Sequence, residues 1–285
     1  MGNISQITSR QLPEHGGAQS ILRAANLLRE VGLRRSVGLA ELTAATGLSK
    51  PTVRRMLLAL INVGLVAQNP ETKQYKLGVD AYLLGQLAET PYNFHELSRD
   101  GIARLAEVSG DTAYLSIRQG DSTFCLHREE GKYPIRTHVL HIGDRQPLSV
   151  GAASMAVLAA LPKVEADAIM ENNIDKIRDS YPDFDMEKIY TLVAEARIQG
   201  WALNPGLAFA GSWAIAVAVR DPEGQVLGAI TIAAIEARLD AKRQLELSVP
   251  LVKEAKRLEK LMRQAHGESR PVASLLTHEV RNRKR

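Results

Sequence analysis

The apolar positions of the first eighty residues fall into three helical stripes and a short hairpin. Ile21, Leu22, Ala25, Leu28 and Val31 recur at the spacing of one helix face, which predicts a helix that Gly32 ends. Leu39, Leu42 and Ala45 mark a second helix over 39–46. Gly47 is placed to cap it in the left-handed conformation, with Leu48 turned back into the core. Ser49 stands where an N-cap belongs, and Lys50-Pro51-Thr52 open a third helix. Proline is tolerated there because first-turn amides have no helical partner to lose. Val53, Met56, Leu57 and Leu60 form the buried stripe of this helix. Two short strands, 65–67 and 74–77, flank the turn Asn69-Pro70-Glu71-Thr72.

Helix, helix, turn, helix and hairpin in this order predict a winged helix-turn-helix over residues 17–78. Residues 1–16 are polar and aperiodic, as a disordered segment would be. A linker helix with Leu83, Leu84 and Leu87 apolar occupies 79–91 and is broken at Thr90-Pro91.

The second half mixes both periods. Helices are predicted over 94–108, 152–160, 164–171 and 186–199, and a long closing helix over 241–263. Strands are predicted over 112–117, 122–128, 137–141, 201–204, 213–219 and 226–235, with Asp221-Pro222-Glu223-Gly224 as the last hairpin turn. The expectation is an α+β domain over 92–265, one mainly antiparallel sheet flanked by helices, followed by a basic tail, 266–285, without fixed structure.

Composition changes this picture in one respect. The net charge of +4 is unevenly spread: +4 in residues 1–90, −3 in the middle and +3 in 268–285. A basic head on a slightly acidic body suits double-stranded DNA as a partner. The single cysteine, Cys125, excludes an intramolecular disulfide and reads as a packed small hydrophobe rather than a redox sensor. The polar start lacks the apolar core of a secretion signal, and the most apolar stretch, 148–161, is short of the ~20 residues of a spanning helix. A cytoplasmic protein with no membrane partner is expected.

On the third helix, the face opposite Val53, Met56 and Leu60 is available to the major groove. Pro51 and Arg55 point most directly outward, Thr52 and Arg54 flank them, and Ser49 and Lys50 lie at the N-terminal edge. The wing adds Lys73, Tyr75 and Lys76, of which the lysines suit phosphate contact. A solvated helix face is the competing reading of the arginines, and the winged-helix context favours DNA.

Enzymatic motifs are missing: there is no Gly-x-Ser-x-Gly elbow, phosphate loop or His-Glu-x-x-His. His127, His138 and His141 invite a metal. However, residues three apart in a strand leave opposite faces, so no metal or other cofactor is expected. The segment 148–154 precedes a helix, where free amides and the positive helix end collect. Gly151 and Ala152 leave room for a ligand there, and the Ser149 and Ser154 hydroxyls could add hydrogen bonds. The same small residues would equally permit close helix-to-sheet packing. Asn204 and Ser212 could supply polar contacts from facing strands, and Trp213 a flat wall. An enzymatic second domain and a pure oligomerisation domain are the alternatives to a ligand sensor.

Several long segments resemble the IclR family of bacterial transcription regulators. They are LAELTAATGLSKPTVRRMLLALINVGLV followed by YKLG, GDRQPLSVGAASMAVLAALP, and ARIQGWALNPG followed by AIAVAVRDPEGQVLGAITI. The resemblance spans about residues 17–263 and departs at Ser154-Met155, where many members carry Gly-Lys, and at Ser212-Trp213. It implies a GAF-like effector domain, a homodimer or homotetramer, and control of a catabolic operon, and it favours the pocket reading of 148–154. The function expected is sequence-specific regulation at a palindromic operator. A small organic carboxylate, aromatic acids included, would modulate operator binding or recruitment of RNA polymerase.

Overall fold

The computed structural model describes residues 18–88, 91–136, 139–181 and 185–268. The segment 1–16 and the tail beyond 268, both expected to lack fixed structure, lie outside the described residues. The chain divides into two compact units. One comprises residues up to 89 together with His141–Arg145; the other comprises 90–140 and 146 onward.

The first unit contains α1 (Ala18–Arg34), α2 (Leu39–Thr46), α3 (Lys50–Asn62), β1 (Val66–Gln68), β2 (Tyr75–Leu77) and α4 (Val79–Leu87). Its core joins Leu27 and Val31 of α1, Leu42 of α2, and Val53, Leu57 and Leu60 of α3. Gly47 adopts the left-handed conformation, φ 65°, and donates its N–H to the Thr43 carbonyl, as its position after α2 predicts. β1 and β2 pair antiparallel, Val66 opposite Leu77 and Gln68 opposite Tyr75. Val37 exchanges both backbone hydrogen bonds with Tyr75 (3.0 and 2.8 Å), so the hairpin is rooted to the loop before α2. Gly78 sits where a Cβ would lie 2.0 Å from the Gly64 carbonyl oxygen, so only glycine lets the wing return against the end of α3.

α1 does not end at Gly32. It runs on to Arg34, and the missing side chain at Gly32 makes room for Leu77, whose Cδ1 lies 3.3 Å from where a Cβ would be. The expected stripe of α1 is also rotated: Leu27 and Val31 are buried, whereas Ile21 is 72% exposed. α4 buries no residue at all, and Val79, Tyr82, Leu83, Leu84 and Leu87 are exposed.

The second unit is built on a six-stranded sheet in the order β5-β4-β3-β8-β7-β6. Its strands are β3 (Thr112–Gln119), β4 (Ser122–Glu129), β5 (Arg145–Pro147), β6 (Ala202–Pro205), β7 (Ser212–Arg220) and β8 (Val226–Ile235). The pairs β3–β4, β3–β8, β7–β8 and β6–β7 are antiparallel. Side chains alternate between the two faces. Ala113, Leu115, Ile215, Val217, Ile230 and Ile232 pack on one face with α5 (Phe94–Ser109) and α9 (Ala241–Glu268). The other face is made of smaller residues, among them Ala214, Ala216, Ala229 and Ala233. It meets α6 (Ala152–Ala160), α7 (Lys163–Ser180) and α8 (Met186–Gln199).

In this unit several elements differ from expectation, and β5 lies at Arg145–Pro147, where no strand was expected. No strand covers 139–141, and residues 137–138 lie outside the described residues. The Asp144 carboxylate accepts the His141 N–H (2.7 Å) and Gly143 takes φ 92°, a turn that removes this stretch from the sheet. α7 continues nine residues past Glu171, through Asn172-Asn173, a poor helix-forming pair. Asn173 is compensated by tertiary hydrogen bonds to the Asp121 and Leu148 carbonyls. α9 extends to Glu268 and contains Pro250, so the first residues of the expected tail are helical.

Candidate DNA-binding face and effector pocket

The outer face of α3 is polar, basic and open. Pro51, Arg54 and Arg55 are exposed, as are Ser49 and Lys50 at the N-terminal edge. Ser49 has N-cap geometry, φ −65° and ψ 145°, but its hydroxyl meets the Thr52 hydroxyl at 2.8 Å instead of a backbone amide. Thr52 is accordingly half-buried. On the wing, Lys73 and Lys76 are exposed. Lys73 takes φ 58°, closing the turn in which the Asn69 side chain accepts the Glu71 and Thr72 amides. The side chains of Lys50, Arg54, Arg55, Lys73 and Lys76 make no ion pair or hydrogen bond among the described residues. They are therefore available without breaking an internal contact. Tyr75 is a correction: it is 7% exposed and packed in the head core, because β2 turns Tyr75 inward and Lys76 outward. It cannot contact DNA from there.

The second unit holds a narrow pocket, about 30 Å3 in cavity volume, between the small-residue face of the sheet and the start of α6. Gly151, Ala152 and Ala153 form one wall; Asn204, Ser212, Ala214 and Thr231 come from the strands. Gly151 is the N-cap of α6, with φ 82° and ψ 161°. The first-turn amides of α6 have no intrahelical acceptor and lie at the positive end of the helix. Among the described residues no charged side chain lines the pocket. Thr231, which lines this space, is 6% exposed, and its Oγ1 makes no hydrogen bond among the described residues. Asn204 Oδ1 accepts the Leu207 N–H (3.1 Å), folding the 205–211 loop that brings Phe209 over the pocket. Burial raises the pKa of the Tyr114 phenol, which also lines the space, so it stays protonated at neutral pH.

Gly151, Ala152, Asn204 and Ser212 are thus brought together. Three other residues assigned to the pocket are not. Ser154 is fully buried beneath the wall, its hydroxyl 2.9 Å from that of Thr123. Ser149 is fully buried with φ 107°, and it is not on the pocket wall. Trp213 lies on the opposite face of the sheet, against the α5–α9 core. Ser212 and Trp213 are adjacent in β7 and cannot share a face. Phe209 supplies the aromatic wall instead. Thr231, Tyr114 and Gln146 were missed; the alternation in β8, where Thr231 falls between Ile230 and Ile232, carries the signal for the first.

Among the described residues no group of three His, Cys, Asp or Glu could hold an ion, and His138 lies outside them. His127 instead meets Glu129 (Nε2 to Oε1, 3.0 Å) and the ring of His95, with centroids 5.4 Å apart. Its burial lowers its pKa, with Glu129 opposing the effect. His141 lies 3.4 Å from Asp144. Cys125 is buried in the core on the pocket side of the sheet, with its Sγ 3.7 Å from the His127 carbonyl oxygen. No described helix is long and apolar enough to cross a membrane.

A winged helix-turn-helix presenting unpaired arginines, followed by a domain with a small-molecule pocket, defines a DNA-binding transcription regulator. The chain belongs to the IclR family: the IclR helix-turn-helix domain matches residues 20–70 and the C-terminal domain of bacterial IclR regulators matches 91–260. It is 25% identical over 223 residues to the HTH-type transcriptional regulator XynR of Escherichia coli, covering 78% of this chain and 88% of that protein. The crystal structure of an IclR transcriptional regulator from Alicyclobacillus acidocaldarius shares the fold, with a TM-score of 0.69 at 21% identity, covering 86% and 98% of the two chains. So does an IclR homologue from Microbacterium hydrocarbonoxydans complexed with 4-hydroxybenzoate, at TM-score 0.67 and 18% identity, covering 86% and 99%. XynR and the Alicyclobacillus protein are transcriptional regulators by name.

Proposed function

We propose that this regulator binds a palindromic operator as a homodimer or homotetramer and responds to a small organic carboxylate held at the start of α6. The observation that carries the ligand class is the pairing of free α6 amides with an uncharged wall and the unpartnered Thr231 hydroxyl. The amides accept a carboxylate without a buried arginine, and Thr231 hydrogen-bonds a polar group elsewhere on the ligand. Phe209 and the alanine-rich sheet suit a ring. The 4-hydroxybenzoate bound by one structural neighbour is of this class. Control of a catabolic operon, through operator affinity or recruitment of RNA polymerase, is what the family resemblance implies and completes this reading.

Calorimetry of benzoate and 4-hydroxybenzoate against their matched amides tests the reading. The acids should bind, and the amides should bind roughly 100-fold more weakly, about the difference between a charge-assisted and a neutral contact set. Amides binding as well as acids would overturn it.

The dimer reading rests on the head. One head reads only a few base pairs, too few against ~10⁶ or more competing sites, so two must act together. The exposed apolar residues of α4, Val79, Tyr82, Leu84 and Leu87, are 58–80% exposed and unpartnered. A second copy of this chain covering them removes that surface from water. Leu84→Glu should shift sedimentation toward the monomer and weaken operator binding by roughly 100-fold or more. A wild-type monomer that protects a single half-site in a footprint would sink the proposal.

A further inference from the structure

Asn173 stands in the middle of α7, 1% exposed and away from the pocket wall. Its Nδ2 donates to the Asp121 carbonyl at 2.9 Å and to the Leu148 carbonyl at 3.2 Å. The Leu148 N–H donates to the same Asp121 carbonyl at 2.8 Å. One side chain therefore ties together α7, the turn between β3 and β4, and the segment that leads into α6.

That segment is conformationally expensive. Ser149 takes φ 107°, a region L-residues rarely enter, and its hydroxyl is buried without a hydrogen bond. Gly151 follows at φ 82°. A backbone of this kind persists only where its surroundings over-determine it. Apart from the Asn173 and Asp121 bonds, the Val150 N–H to the Pro147 carbonyl (3.0 Å) closes the turn. That bond is local and fixes the turn without fixing where it sits. Two long-range bonds anchor it to the rest of the domain: the Leu148 N–H to the Asp121 carbonyl, and the Asn173 amide to the Leu148 carbonyl, which is the side-chain anchor nearest the turn.

We propose that Asn173 is a positioning residue for effector recognition: through the Leu148 carbonyl it holds 148–151 so that the first amides of α6 face the pocket. This rests on the carboxylate reading given above. The aim of those amides governs the carboxylate contact far more than the contacts to Phe209 or Thr231. Losing Asn173 should therefore weaken acids selectively, not all ligands alike.

The test is calorimetry on the full-length protein with 4-hydroxybenzoate and 4-hydroxybenzamide, for wild type and Asn173→Leu, with thermal melting to show that the variant is folded. The wild-type preference for the acid should shrink by roughly tenfold or more in Asn173→Leu, while the amide changes by less than about threefold. Asn173→Ala removes the same donors without bulk, and it should give the same result if the leucine variant does not fold. A merely structural role would weaken acid and amide together or leave both unchanged in a folded variant; either result overturns the inference. A wild type that shows no acid preference fails the carboxylate reading itself, and does so before any Asn173 variant is measured.

Discussion

Gly151→Val is expected to abolish effector binding while leaving the second domain folded. Gly151 has φ 82°, where a β-branched side chain is strained by ~1–3 kcal/mol. A Cβ there would also lie 2.9 Å from Gln146 Oε1. That oxygen is the far end of a flexible side chain, and Gln146 itself lines the pocket, so its displacement intrudes on the ligand space. The valine methyls add bulk at the mouth of the α6 amides, where the carboxylate would sit. Strain is confined to one loop residue, and the cores built from Leu148, Met155 and Leu158 are untouched. The loss should be roughly 100-fold or more in affinity, with a cooperative melting transition retained. Calorimetry with 4-hydroxybenzoate on the folded variant checks it; normal affinity there would remove the helix-terminus site.

Much of this was legible in the sequence because local rules act alone at the head. Gly47 caps α2, Pro51 opens α3, and Asn69-Pro70-Glu71-Thr72 turns the wing. Each signal lies within a few residues of the structure it dictates. The boundaries that moved depend on distant partners. Gly32 reads as a stop until Leu77, from the far end of the hairpin, is found filling the space above it. Asn172-Asn173 reads as a helix end until the Asp121 and Leu148 carbonyls are seen to accept from Asn173.

The pocket was half legible for a related reason. The helix start at Gly151 is local, and it was placed correctly. Sharing out the strand residues needed the rule that neighbours in a strand face opposite ways. Ser212 and Trp213 cannot both reach a ligand, and β2 likewise buries Tyr75 beside an exposed Lys76. A stricter reading of β7, with Ser212, Ala214, Ala216 and Ala218 on one face and Trp213, Ile215, Val217 and Val219 on the other, separates a small-residue wall from a bulky core. Phe209 escapes even that rule. It sits in an irregular loop whose path is set by the Asn204 side chain accepting the Leu207 amide.

On DNA, Arg55→Ala and Lys73→Ala should separate reading from holding. Arg55 is exposed on the outward face of α3 and pairs with nothing among the described residues, so its removal leaves no internal partner stranded. In the major groove a guanidinium can pair bidentately with guanine O6 and N7, a contact that discriminates by ~1–3 kcal/mol. Arg55→Ala should therefore weaken the operator by about that amount and relax preference at one base pair per half-site, with non-specific binding nearly unchanged. Lys73 lies in the wing turn, where a flexible ammonium suits phosphate and carries no sequence information. Lys73→Ala should weaken operator and random DNA by the same factor and make the fall of affinity with salt shallower by about one phosphate contact per head. Competition titrations of operator against random duplex at two salt concentrations tell the two apart. An unchanged specificity ratio for Arg55→Ala would mean that a different face of α3 reads the bases. A changed ratio for Lys73→Ala would move the wing from the backbone into a groove.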